Sequence, residues 1–317
     1  MTKKTLLSGV KPTGRPHIGN YFGAMKQFVD MQDEYNCMFF IADYHALNFI
    51  QNGEEMKKQI IDLTLDYLAL GLDPKKSLIY KQSDIPEHGE LTWIFDTITS
   101  MPYLERSHAY KDAIANGREI TAGLFNYPML MAADILLYDI EVVPVGQDQK
   151  QHVEYARDTA QKFNHTFKKE VFKLPDAKII EEVAVVPGTD GRKMSKSYGN
   201  TIPLFATDEE IEKAVMSIVT DSGADIPENV YAIHKLLKSE TELKTIYEEN
   251  KGKYKILKEI LIEDLKTFIK PMRDRREQLE HDVDFVMDVL KEGGKRAKLK
   301  AEKKMEDVRE VIGVKLY

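Results

Sequence analysis

The stretch "GTDGRKMSKSYGN" (Gly188–Asn200) sets Lys193 and Lys196 on either side of Met194 and Ser195, framed by Gly188, Gly191 and Gly199. Two ammonium groups on a loop that glycines leave mobile suit the charge that builds on a triphosphate as its pyrophosphate leaves. A solvated lysine-rich turn has the same composition, so the reading needs a second motif. One stands near the N-terminus, in "SGVKPTGRPHIGNYFGA". Gly9, Gly14 and Gly19 recur there at intervals of five, which is neither the G-x-G-x-x-G fingerprint nor a Walker loop. The segment still joins an expected strand to an expected helix, where free N–H groups and the positive end of the helix dipole favour a phosphate. His17 and Asn20 add neutral donors, and Gly19 lets a base or ribose approach the backbone. An ordinary glycine-punctuated loop capped by Asn20 is the competing account.

A third group lies in "NYPMLMAADILLY". With Asn126 capping a helix and Pro128 in its first turn, Tyr127, Met131 and Asp134 fall on one face. A carboxylate beside an aromatic ring and a thioether is costly to bury without a partner. An ionised carboxylate only accepts, so a ligand group that only donates would match it. Met131, Val143 and Val145 would wall in a ligand ring. A backbone or arginine partner for Asp134 would satisfy the same pattern. His45, at the end of the strand-like "FFIADYH", is a further pocket candidate, and Lys111 a candidate for phosphate contact.

The elements that must hold these groups alternate in the βαβ manner. "TLLSGV", "CMFFIADYH", "SLIYKQS", "EVVPVG" and "EEVAVVPG" read as strands, with helices near residues 20–35, 54–70 and 149–163. Beyond residue 200 strand patterns stop and amphipathic helical periodicity takes over. The expectation is an α/β protein: a Rossmann-like parallel-sheet catalytic domain (1–195 plus a returning C-terminal helix, 285–317) and an all-α second domain (196–284). The net charge of −7 argues against indiscriminate nucleic-acid coating but leaves room for a local basic patch. One is available in Lys291, Lys295, Arg296, Lys298, Lys300, Lys303 and Lys304, which also reads as a solvated helix face. A single cysteine, Cys37, excludes an internal disulfide and a thiolate metal cluster, and fits a cytoplasmic protein. No apolar run approaches the roughly 20 residues of a membrane span, and no signal peptide is expected.

The pairing of "HIGN" with "KMSKS" resembles the class I aminoacyl-tRNA synthetases. The block Asn126–Asn164 makes the chain similar to the tryptophanyl-tRNA synthetase family over nearly its whole length. The resemblance implies ATP-dependent activation of L-tryptophan, then its transfer to the terminal adenosine of tRNA(Trp). It implies ATP and Mg²⁺ as cofactors, no metal held by the protein itself, an anticodon-reading helical domain and a homodimer. It assigns catalysis to Lys193, Lys196, His17 and Asn20. It assigns ATP binding to Lys11, Thr13, Gly19, Asn20, Gly146, Asp148, Lys193, Met194, Ser195 and Lys196. Tryptophan falls to Leu7, Gly9, His45, Tyr127, Met131, Asp134, Val143, Val145 and Gln149. Tyrosine-specific relatives tend to carry a glutamine where this chain has Met131, which cannot donate to a phenol. A small-molecule nucleotidyltransferase and a non-catalytic RNA-binding relative are the other readings. Lys11, Leu7, Ala113 and the run Tyr198–Asn200 depart from the common family pattern.

Overall fold

Adjacent residues of the first strands are buried on opposite faces, so the sheet must be covered on both sides. The structure, a computed structural model, describes residues 3–146, 150–179, 186–220 and 225–317. Strands β1 (Thr5–Val10), β2 (Asn36–Ile41), β3 (Leu78–Lys81), β4 (Val142–Val145) and β5 (Asp176–Ile179) form a parallel sheet in the order β3-β2-β1-β4-β5. Leu6 registers with Cys37 on one side and with Val142 on the other. The strand order therefore reverses between β1 and β4, and an open α/β sheet leaves a crevice at such a point. The fifth strand lies upstream of the expected run Glu181–Gly188, of which residues 181–185 fall outside the described residues.

Helix α1 covers 18–31 and passes through a π-type turn at Tyr21–Met25. Then follow α2 (Gly53–Leu70), α3 (Glu87–Ile98), α4 (His108–Ala115), α5 (Ala122–Leu136) and α6 (Lys150–Phe167). The second half is helical: α7 (Asp208–Met216), α8 (Glu228–His234), α9 (Glu240–Glu249), α10 (Tyr254–Glu280) and α11 (Val283–Val311). Local chemistry sets several of their ends. Asn52 accepts from the backbone of Glu54 and Glu55 at the start of α2, and reciprocal capping boxes open α7 (Thr207, Glu210) and α9 (Ser239, Glu242).

Strand alternation divides the core. Leu6, Phe39 and Ile41 pack with Phe22, Phe28, Ile211, Leu261 and Leu290, so the helical half shares a continuous apolar core with one face of the sheet. Leu7, Phe40 and Tyr80 pack with Phe95, Met129, Phe163 and Met305 on the other. Helix α11 runs against β3, close enough that a Cβ on Gly293 would overlap the Ile79 carbonyl. Arg276 of α10 reaches α2, donating to Asp66 at 2.6 Å and to Asp62 at 3.1 Å. Burial pushes the Asp66 carboxyl up to about 6 against the pull of that guanidinium.

Candidate active site

Two adjoining cavities lie at the carboxyl ends of β1 and β4. One, of about 450 Å³, is lined by Leu7, Gly9, Phe40, His45, Tyr127, Met131, Asp134, Val143, Val145 and His152. The other, of about 390 Å³, is lined by Thr13, Gly14, Gly19, Asn20, Lys193 and Lys196. Val10, Lys11, Gly23, Ala24, Phe28 and Gly146 line both, so the chambers share a wall. Gly9 is required where it stands, because a Cβ there would collide with the Phe40 ring.

Asp134 is the polar centre of the first chamber and is only 2 % exposed. Its Oδ2 lies 2.9 Å from His45 Nε2. Its Oδ1 accepts from Gln82 Nε2 at 2.7 Å and lies 2.7 Å from His88 Nδ1. Burial alone would raise this carboxyl, but the hydrogen bonds from His45 and His88 outweigh it and hold it below the ordinary aspartate range. The Tyr127 ring meets His45 edge-on at 4.7 Å. Sequence reasoning missed Gln82 and His88. Gln82 is the penultimate residue of "SLIYKQS", and position at the carboxyl end of a strand was its available signal; His88 carries no such mark.

The helix bearing Tyr127, Met131 and Asp134 starts earlier than expected. Thr121 caps α5 by accepting from Leu124 N, so Asn126 and Pro128 sit inside the helix. Asn126 instead donates to Asp96 Oδ2 at 3.2 Å. The expected cap was wrong because a hydroxyl five residues upstream supplies the N-terminal acceptor. The shared face of the three pocket residues is unaffected.

At the phosphate-facing end, His17 and Asn20 form a reciprocal cap. His17 Nδ1 accepts from Asn20 N at 3.3 Å, and Asn20 Oδ1 accepts from His17 N at 3.1 Å. Gly19 sits against this ring, and a Cβ there would crowd His17 Nδ1. Burial, then the nearby Lys196 charge, push the His17 imidazole down to about 4. The ring is buried and neutral near pH 7, and it lines neither cavity. Its NMR signal is expected to hold steady from roughly pH 8 to pH 5.5, where a free imidazole titrates at about 6.5. A midpoint near 6.5 in the folded protein would contradict the buried cap. Because the folded value is the lower one, this group contributes stability above about pH 6.5 that is lost as pH falls towards about 4.

The two motifs, far apart in sequence, are tied together by backbone. Ile18 N donates to Ile202 O and Leu204 N to Pro16 O, each at 3.0 Å. Lys196 Nζ donates to the carbonyls of Thr13 and Gly14 at 2.9 and 2.7 Å, and Gln59 Oε1 steadies that turn by accepting from Gly14 N at 2.7 Å. Asn200 organises the lysine loop from below: its Oδ1 accepts from Ser195 N, while its Nδ2 donates to Asp190 and to Lys193 O. Gly188 packs against Asn200 with no room for a Cβ, whereas Gly191 and Gly199 take positive φ (81° and 65°). These glycines therefore shape a bonded turn. Arg192 pairs with Asp190 and lies 4.3 Å over the Tyr198 ring, so both are occupied locally.

Not every expected residue joins the chambers. Met194 is buried in the core and Ser195 Oγ bonds Ser197 Oγ, so neither side chain lines a cavity. Lys111 is exposed on α4, outside both chambers, while Ala113 is fully buried. Asp148 and Gln149 lie outside the described residues. Lys11 lines both chambers with its Nζ 4.6 Å over the Phe49 ring, and burial lowers its ammonium. Lys304 leaves the expected basic patch: it turns inward to Val171 O and Asp139. Among the described residues no group of three metal-ligating side chains occurs.

A family model described as "tRNA synthetases class I (W and Y)" matches residues 2–281. The chain belongs to that family. The synthetase is 49% identical to the tryptophan–tRNA ligase of Fusobacterium nucleatum, covering 98% of each chain. It is 47% identical to that of Rhodopirellula baltica over 92% of this chain and 94% of the relative. Among solved structures it resembles tryptophanyl-tRNA synthetase from Campylobacter jejuni complexed with ADP and tryptophan. The TM-score there is 0.91 at 44% identity, over 98% of this synthetase and 99% of that chain.

Proposed function

We propose that the chain is a tryptophan–tRNA ligase. It activates L-tryptophan with ATP to tryptophanyl-AMP and pyrophosphate, then passes the amino acid to the 3′-terminal adenosine of tRNA(Trp). The observation that carries this reading is the shared wall: an apolar chamber with one buried carboxylate adjoins a chamber lined by Lys11, Lys193 and Lys196. In this reading the indole sits among Leu7, Phe40, Met131, Val143 and Val145 with its N–H on Asp134. The amino acid's own carboxylate then lies at the Lys11–Gly146 wall, facing the nucleotide. A new bond forms between a carboxylate oxygen and the α-phosphorus, and the bond from that phosphorus to the pyrophosphate breaks. The nucleophile is already ionised, so alignment and charge stabilisation do the catalysis. Lys196 leaves the Thr13 and Gly14 carbonyls for the phosphates, with Lys193 beside it and Asn20 at the helix start.

Mg²⁺ enters as part of the nucleotide substrate. The described lining of the phosphate-facing chamber contains no carboxylate, which fits a metal carried in on phosphate oxygens and neutralising their charge. Residues 1–195 with 285–317 act as the catalytic unit and 196–284 as the anticodon-reading unit; contact of α11 with β3 supports the first grouping. The synthetase acts as a homodimer, as the resemblance implies. No described helix is long and apolar enough to cross a membrane, and the reduced, buried Cys37 suits the cytoplasm.

The deciding assay is tryptophan-dependent ATP–pyrophosphate exchange, followed by charging of tRNA(Trp). Exchange that responds to tyrosine and not tryptophan would overturn the specificity, and exchange without charging would favour a small-molecule nucleotidyltransferase.

A further inference from the structure

The carboxylate that would select tryptophan is itself selected for by residues that never face the chamber. His88, in the first turn of α3, is 0 % exposed and lines neither cavity. Its Nδ1 lies 2.7 Å from Asp134 Oδ1 and its Nε2 lies 2.8 Å from Tyr138 Oη. Phe40 stacks on its ring at 6.4 Å, and Tyr138 packs at 5.6 Å. A nitrogen 2.7 Å from an ionised carboxylate, which can only accept, is favoured to carry the hydrogen, so the charge of Asp134 biases His88 towards Nδ1–H. The Tyr138 hydroxyl can then donate into Nε2, which fixes the Nδ1–H tautomer.

A carboxylate offers about four acceptor sites. Gln82 takes one on Oδ1 and His45 one on Oδ2, while His88 Nδ1 crowds Oδ1 at 2.7 Å, so the site left for the chamber that Asp134 lines is on Oδ2. We propose that His88, oriented by Tyr138, is a positioning residue for tryptophan selection: it locks Asp134 as an acceptor-only group with the Oδ2 site left for the indole N–H. The inference rests on the reading of Asp134 as the indole partner. Without the Tyr138 hydroxyl the imidazole is free to take the Nε2–H tautomer and turn a lone pair towards Oδ1. Asp134 then has to pivot or take up a proton, and a protonated carboxyl no longer discriminates a donor.

The test compares equilibrium binding of L-tryptophan with β-(benzothiophen-3-yl)-L-alanine, which replaces the indole N–H by sulfur in the same ring outline. Wild type is expected to prefer tryptophan by about 10- to 100-fold, the range for a hydrogen bond to a charged group. Tyr138→Phe is expected to cut that preference severalfold and His88→Leu to abolish it, with affinity for the sulfur isostere changed little. His88→Asn places an amide donor where Nδ1–H stood and is expected to restore most of the preference. Equal loss of both ligands in Tyr138→Phe and His88→Leu, or an unchanged ratio in both, overturns the proposal; thermal melts of the variants report any loss of fold. If wild type shows no preference, or Asp134→Asn keeps it, the Asp134 reading fails first and takes this inference with it.

Discussion

Replacing Lys196 by alanine is expected to slow tryptophan-dependent pyrophosphate exchange by about 10²–10³-fold, the loss seen when one preorganised charge-stabilising group is removed. Tryptophan affinity is expected to stay within about twofold, since an interaction made only in the transition state leaves ground-state binding intact. The geometry separates the two effects. Lys196 lines only the phosphate-facing chamber, and its ammonium is already satisfied by the Thr13 and Gly14 carbonyls before any nucleotide arrives. Burial lowers its pKa, while the two carbonyl acceptors favour the charged ammonium. Exchange kinetics and calorimetric titration with tryptophan read the two quantities independently. A parallel fall in both would mean that the loop shapes the pocket and does not act on the reaction.

Asp134→Asn is expected to weaken tryptophan binding by about 10²-fold, because a site built around one acceptor is left with a mismatched polar group. The amide keeps the volume but presents two hydrogens among three donors, His45, Gln82 and His88. At least one donor–donor conflict follows, and each buried group left unpaired costs about 1–3 kcal/mol of stability. Alanine is the poorer probe, since breaking a buried charged cluster outright costs about 3–5 kcal/mol and brings unfolding into the measurement. The pH signature is equally specific. Asp134 has a depressed carboxyl, so its contribution is present above the ordinary aspartate value and lost as pH falls through the folded one. The asparagine variant is expected to lack that component of acid unfolding, followed by circular dichroism. Unchanged tryptophan affinity in a folded variant would remove Asp134 from the pocket.

Patterns that act over a few residues were legible before the structure. The βαβ alternation and the carboxyl-end rule for an α/β sheet pointed to the strand ends where both chambers lie, and helical spacing put Tyr127, Met131 and Asp134 on one face. What stayed hidden depends on partners remote in sequence. Nothing local distinguishes Lys304, which crosses to Val171 and Asp139, from the exposed lysines around it. Gln82 and His88 become meaningful only when α5 is laid beside the end of β3. The glycines around Lys193 read as freedom, yet Gly188 is there for lack of space and Gly191 and Gly199 for their backbone sign. Composition reports how permissive a residue is; packing decides which permission is used.

The wall shared by the chambers has a consequence for what happens between the two halves of the reaction. Tryptophan and ATP each give up their own translational freedom to occupy one compartment. Once joined, a single molecule holds both sets of contacts for one such loss, and tethered ligands of this kind bind far more tightly than either part. In the proposed reading, that tighter hold would keep the labile mixed anhydride bound while pyrophosphate leaves.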